Sequence, residues 1–77
     1  MRRNAKVTEI ARSVGNNLKA CRQAKGLTQK ELAERLGKRQ PDYSDYERGK
    51  VQLDYEKIVF ICKELDISPE DLFDGLF

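Results

Sequence analysis

Residues 27–50 read LTQKELAERLGKRQPDYSDYERGK, and they contain the signals from which the architecture of the chain can be inferred. Thr28 is followed three residues later by Glu31, a pairing called a capping box because each side chain accepts a hydrogen bond from the backbone N–H of the other residue. The pairing predicts a helix over residues 29–36, with Gly37 as its end.

A second helix start follows at residues 40–42, which read QPD. Proline at the start of a helix loses no needed hydrogen-bond donor, and an acidic residue there suits the positive end of the helix dipole. We expect this helix to end at Gly49. A turn of about four residues, 37–40, separates the two helices and begins with glycine, which is typical of a helix-turn-helix. The residues expected to pack between these helices are Leu32, Ala33, Leu36, Tyr43 and Tyr46.

The chain before this motif predicts one longer helix over about residues 7–25, ended by Gly26, because apolar residues recur every three or four positions. The expected buried stripe consists of Val7, Ile10, Ala11, Val14, Leu18 and Cys21. Gly15 and the two asparagines after it weaken this helix in its middle. Residues 1–12 are therefore predicted as a basic N-terminal arm or as the start of helix one, and residues 13–77 as the helix-turn-helix domain.

The chain after the motif predicts two more helices. Asp54 caps a fourth helix, whose buried stripe is expected at Ile58, Ile61, Cys62 and Leu65. Residues 68–71 read SPED and open a fifth helix, which Gly75 ends. No window alternates polar and apolar residues long enough for a strand. The sequence therefore predicts a compact, all-α domain of five helices.

The charge is divided unevenly along the chain. Residues 1–50 contain 13 Lys or Arg against 6 Asp or Glu, whereas residues 51–77 contain 2 against 7. One basic face of the folded domain could then meet a polyanion such as nucleic acid or anionic lipid. The alternative is solvated surface charge without a partner.

Composition excludes several classes of function. No apolar run is long enough to span a bilayer, so no membrane association is expected. Two cysteines are too few for a disulfide scaffold, which favours a reducing, cytoplasmic location. The chain contains no histidine, so we expect no metal site, no cofactor and no enzymatic activity.

Three segments carry a resemblance to a known family. They are the pattern LTQ-x-ELA-x-x-LG at residues 27–37, YS-x-YERGK at residues 43–50, and L-x-ISP-x-x-LF at residues 65–73. Over about residues 14–73 the chain resembles the Cro and phage-repressor helix-turn-helix family, often called the XRE family. Its length resembles restriction-modification controller proteins as much as phage repressors.

The resemblance implies that helix three lies in the major groove of DNA. The positions that would then face the base edges are Arg39, Gln40, Pro41, Ser44 and Asp45. Their chemistry suits this role, because arginine can bind guanine, glutamine can bind adenine, and a carboxylate can accept from cytosine. The alternative is that Arg39 and Gln40 belong to a solvated turn.

The resemblance also implies contacts to the DNA backbone. The positions expected to bind phosphate are Gln29, Lys38, Arg48 and Lys50. For three other lysines, Lys19, Lys25 and Lys30, a solvated surface is favoured. Glu47 is implied to be structural, because the family pairs this glutamate with an arginine of helix one at the position of Arg22.

We expect the protein to bind a palindromic double-stranded DNA operator as a homodimeric transcriptional regulator, acting as a repressor or autoregulator. The residues expected at the dimer interface are Val59, Phe60, Phe73, Leu76 and Phe77. Phe73 or Phe77 could instead fold back and close the base of the core.

Two acidic residues of helix three, Asp42 and Asp45, keep an alternative open, in which the motif binds a protein such as a toxin. Asp42 could also cap helix three or pair with Arg39. Cys21 and Cys62 are expected to pack in the core, with a redox disulfide as the alternative.

Overall fold

The computed structural model describes residues 8–77. These residues form five helices and no strand: α1 Glu9–Ala24, α2 Gln29–Arg35, α3 Gln40–Glu47, α4 Tyr55–Leu65 and α5 Pro69–Leu72. The predicted all-α fold of five helices is confirmed. None of these helices has the length and apolar character needed to cross a membrane.

The predicted starts of the second to fifth helices are those the chain uses, whereas α1 begins at Glu9 after the N-cap Thr8, two residues later than predicted. At α2, Glu31 N donates to Thr28 Oγ1 at 3.0 Å and Thr28 N donates to Glu31 Oε1 at 2.8 Å, which completes the capping box. At α4, Lys57 N donates to Asp54 Oδ1 at 2.8 Å. The fifth helix also begins with a capping box, but it ends at Leu72, three residues earlier than predicted. Caps are local interactions, so the sequence specifies them directly.

Helix α1 runs without a break through Gly15, which the sequence suggested would weaken it. A Cβ at this position would lie 2.7 Å from the carbonyl oxygen of Tyr46 and closer still to that of Glu47. Gly49 makes the reciprocal approach: its φ is +74°, and a Cβ there would lie 2.9 Å from Arg12 Cα. The two glycines therefore let α1 pass close to the end of α3. Of the segment predicted as an arm or as the start of helix one, residues 1–12, the first seven lie outside the described residues, and residues 9–12 form the first turn of α1.

The core lies where α1, α2 and α3 meet α4 and α5. Its fully buried side chains are Leu18, Leu32, Tyr43, Ile61, Leu65 and Leu72. Helix α1 packs against α3 and α5, α2 packs against α3, and α5 also contacts α4. All five residues expected between the motif helices are buried, and the rings of Tyr43 and Tyr46 pack edge to face with centroids 6.3 Å apart.

The predicted stripe of α1 is wrong at Ile10, whose side chain is 65% exposed. The buried row of this helix is Ala11, Gly15, Leu18 and Arg22. Ile10 lies one residue before that row, which rotates its side chain by about 100° toward solvent. It lines the rim of an apolar groove together with Val14 and Phe73. Val7, also predicted in the stripe, lies outside the described residues.

The two cysteines are free thiols, with Cys62 buried and Cys21 partly buried. Burial is the main cause that raises the pKa of both thiols above its ordinary value. A raised pKa leaves little thiolate, the reactive form, at neutral pH. These properties agree with packing as their role.

Candidate nucleic-acid interface

The turn between α2 and α3 is held by backbone hydrogen bonds. Lys38 N donates to Ala33 O at 2.9 Å, and Gly37, with a φ of +69°, adopts the left-handed conformation that glycine tolerates. Arg39 occupies the cap position of α3 and Pro41 its first turn. The ammonium of Lys38 lies 5.6 Å from the ring centre of Tyr46. This arrangement fixes where α3 begins relative to α2.

A buried ion pair holds α3 against α1. Arg22 Nε donates to Glu47 Oε2 at 2.6 Å, and Arg22 Nη2 donates to Glu47 Oε1 at 3.1 Å. The side chains are 8% and 2% exposed. Arg22 Nη1 also donates to Leu27 O at 2.7 Å, which ties the pair to the loop before α2. A two-point contact of this kind fixes orientation as well as distance.

Glu47 accepts two further hydrogen bonds, from the hydroxyl of Tyr43 at 2.5 Å and from Gln29 Nε2 at 2.8 Å. Burial acts to raise the pKa of Glu47, but the hydrogen bonds from Arg22, Tyr43 and Gln29 outweigh it, so the pKa lies below its ordinary value. Burial and the bond to Glu47 raise the pKa of the Tyr43 phenol. The carboxylate is thus charged, and it links α1, α2 and α3 at one point.

The network extends from Glu47 to the first residue of α3. Because Gln29 Nε2 donates to Glu47, its Oε1 faces away and accepts from Gln40 Nε2 at 3.4 Å. Gln40 keeps a free carbonyl oxygen and a second N–H, the acceptor and donor that glutamine offers to adenine. Gln29, expected on phosphate, has both ends of its amide engaged within the protein. Its hydrogen bond to Glu47 was not predicted from the sequence.

Four of the five predicted base-reading residues share one shallow concavity, here called the reading surface. It is lined by Gln29, Gln40, Pro41, Asp42, Ser44, Asp45 and Arg48. Arg39 lies outside it and is paired with Asp42, with Arg39 Nε 3.1 Å from Asp42 Oδ2. Asp42 therefore pairs with Arg39 and does not cap α3, which has no side-chain cap. Arg48 and Asp45 form a second exposed pair at 3.2 Å.

A family model described as helix-turn-helix matches residues 18–72. The chain belongs to the XRE-type helix-turn-helix family. It is 42% identical over 59 residues to the uncharacterized HTH-type transcriptional regulator YqaE of Bacillus subtilis strain 168, covering 77% of this chain and 51% of YqaE. It is 34% identical over 61 residues to YonR, an SPbeta prophage-derived uncharacterized HTH-type transcriptional regulator of the same strain, covering 79% of this chain and 56% of YonR. The chain spans about half the length of the curated relatives it matches.

Solved structures share the fold of this helix-turn-helix chain. The restriction-modification controller protein C.AhdI from Aeromonas hydrophila aligns with a TM-score of 0.75 at 33% identity, over 82% of this chain and 96% of C.AhdI. Two structures of the clp gene regulator ClgR from Corynebacterium glutamicum each align with a TM-score of 0.78, one at 29% identity over 84% of each chain, the other at 28% identity over 87% of this chain and 71% of ClgR. These matches confirm the predicted family. The family consists of DNA-binding transcriptional regulators and not of enzymes, which confirms the prediction that the helix-turn-helix domain is not an enzyme.

Within this helix-turn-helix chain, Lys50 lies apart from the reading surface, in a second cleft between α1 and α3. The lining of this α1–α3 cleft is Arg12, Asn16, Lys19, Gln29, Ser44, Glu47, Arg48 and Lys50. The structure therefore brings Gln29, Arg48 and Lys50 together, whereas Lys38 lies over Tyr46 and lines neither surface. The three residues from α1 were not predicted, although their spacing of four and three places them on one helix face. Over residues 8–77, no three acidic or cysteine side chains group as a metal site would.

Proposed function

We propose that this chain binds double-stranded DNA sequence-specifically and regulates transcription as a homodimer, acting as a repressor or autoregulator on a palindromic operator. The observation that carries the proposal is the position of Gln40. Its free donor and acceptor stand at the first turn of α3, held by Gln29, which is itself held by the buried Glu47. The contact to Gln29 is long and exposed, so it biases the orientation of Gln40 without fixing it.

The alternative, a motif that binds another protein, rests on the two carboxylates of α3, Asp42 and Asp45. Both carboxylates are paired, Asp42 with Arg39 and Asp45 with Arg48. Neither presents an unpaired negative charge to the surface on which α3 would meet DNA. The pairs are exposed, and such pairs are worth about 0–1 kcal/mol, so the arginines can exchange them for phosphate or guanine.

The homodimer follows from the size of the recognised site. One helix-turn-helix reads only one half-site, and dimers of this motif place their reading helices about 34 Å apart, one turn of DNA. The molecule measures 39 × 28 × 20 Å, so two copies side by side can place α3 at that separation. We propose that a second copy of this chain covers the exposed apolar side chains of α4 and of the carboxyl end.

Exposed apolar side chains lie on α4 and at the carboxyl end. Val59 is 52% exposed, Phe60 41%, and Phe77 is fully exposed. Phe73 and Leu76 are half-buried, and Phe73 lines the apolar groove beside α1. We therefore propose Val59, Phe60 and Phe77 as the centre of the dimer interface, with Phe73 and Leu76 at its edge.

Binding to duplex DNA tests the function. Fluorescence anisotropy with a duplex selected from a random pool and with a random duplex should show tighter binding to the selected one, at 50 and at 200 mM salt. Gln40→Ala should weaken binding to the selected duplex by the equivalent of about 1–3 kcal/mol and leave random duplex unaffected. Lys50→Ala should weaken both alike and lower the salt slope by about 0.9. Equal losses on both duplexes for Gln40→Ala would contradict a base-reading role.

A further inference from the structure

The α1–α3 cleft has a volume of about 500 Å³ and opens beside the reading surface. The two surfaces share Gln29, Ser44 and Arg48. A duplex whose base edges face the reading surface has its sugar-phosphate backbone on either side of a major groove about 12 Å wide. The cleft therefore lies where a backbone strand would pass.

We propose that this cleft binds a phosphate of the DNA backbone and that helix α1 supplies part of the site through Arg12, Asn16 and Lys19. The proposal rests on the DNA-binding function proposed above and extends it to a helix outside the helix-turn-helix. The occupant is the phosphodiester of duplex DNA. Its contacts carry affinity and no sequence preference.

The geometry of α1 brings these three side chains to the cleft. Spacings of four and three residues keep Arg12, Asn16 and Lys19 within about 60° on one helix face. The close approach at Gly15 and Gly49 then sets this face directly beside the end of α3. Larger residues at those glycines would separate the cations of α1 from those of α3.

The electrostatics of the cleft favour an anion. Four of its lining residues are exposed cations, two from α1 and two from the end of α3: Arg12, Lys19, Arg48 and Lys50. The one lining carboxylate, Glu47, is buried and neutralised by Arg22. Arg12, Lys19 and Lys50 form no ion pair with another residue in the range 8–77. The sequence favoured a solvated surface for Lys19, but this residue lines a basic cleft together with the amide of Asn16 and the hydroxyl of Ser44.

The test measures the salt dependence of binding to a random-sequence duplex between 50 and 200 mM salt. Lys19→Gln should lower the slope of log K against log salt by about 0.9, the value for one lost phosphate contact. Lys25→Gln is the matched control, because it removes the same charge from an exposed lysine just beyond α1 that does not line the cleft. Asn16→Lys should raise the slope by about the same amount, a gain that a purely structural role for α1 would not produce.

The outcomes separate this proposal from the function on which it rests. A parent protein that binds duplex DNA, with Lys19→Gln and Lys25→Gln changing the slope equally, would overturn the phosphate site and leave DNA binding intact. A parent that shows no salt-dependent binding would overturn both. Circular dichroism of each variant establishes that the fold is retained, which is expected because Lys19 and Asn16 are exposed.

Discussion

Replacing Glu47 with alanine removes the acceptor of four hydrogen bonds: two from Arg22, one from Tyr43 and one from Gln29. Arg22 then keeps only its bond to Leu27 O, at a position where its side chain is 8% exposed in the parent protein. Removing one partner of a buried ion pair costs about 3–5 kcal/mol, because the other charge is left without compensation. Domains of this size have a total free energy of unfolding of about 4–12 kcal/mol. The substitution should therefore remove a large part of the stability.

Thermal unfolding followed by circular dichroism measures this loss. Each 1 kcal/mol lowers the Tm of a domain this small by about 4–8 °C, so Glu47→Ala should lower the Tm by at least about 12 °C. Asp42→Ala is the matched control, because it breaks an ion pair at the surface: the side chain of Arg39 is 79% exposed and that of Asp42 is 51% exposed. Exposed pairs contribute about 0–1 kcal/mol. If Glu47→Ala lowers the Tm no more than Asp42→Ala does, the structural role of the buried pair is refuted.

Three further predictions concern packing, pH and assembly. Gly15→Ala should lower the free energy of unfolding in urea by about 1–3 kcal/mol, because its Cβ would overlap the backbone at the end of α3. Asn16→Ala, at an exposed position of the same helix, is the control and should not lower it. Equal losses for the two variants would argue against the close helix crossing. The folded state raises the pKa of Tyr43, so the contribution of this phenol to stability is present below the ordinary tyrosine pKa of about 10 and is lost as pH rises above that value. Urea titrations at increasing pH should show this loss of stability in the parent and less of it in Tyr43→Phe. Identical pH profiles would contradict the role of Tyr43 as a buried donor to Glu47. Phe60→Lys should lower the dimer fraction in analytical ultracentrifugation without changing the circular dichroism spectrum, and a variant as dimeric as the parent would remove Phe60 from the interface.

The sequence predicted the parts of the fold that depend on local interactions. Thr28 with Glu31 and Asp54 with its following turn act within four residues, so the starts of α2 and α4 could be placed from the sequence. The helix-turn-helix followed from the short turn between two such helices. The apolar residues between α2 and α3 also followed, because their spacing reports the helix face that is buried.

Contacts between distant segments could not be predicted in the same way. Gly15 suggested a weak helix, because nothing in its neighbours indicates that the end of α3 lies against it. The exposure of Ile10 depends on how α1 is rotated by that contact. The bond from Gln29 to Glu47 joins residues 18 positions apart, and the meeting of Lys19 with Lys50 in one cleft depends on how α1 crosses α3. Each of these features belongs to the tertiary arrangement and has no signature in a single helix.

Selection of bound duplexes from a random DNA pool is the decisive test of sequence-specific binding, because the protein itself chooses the sequence and no operator has to be assumed. If α3 presents Gln40 and its neighbours to base edges in a two-fold dimer, repeated selection should enrich a palindrome whose half-site centres lie about 10 base pairs apart, one turn of DNA. Gln40→Ala should change the base preference at one position of each half-site. If the duplexes bound by the parent protein show no motif enriched over the starting pool, sequence-specific binding by the reading surface would be contradicted.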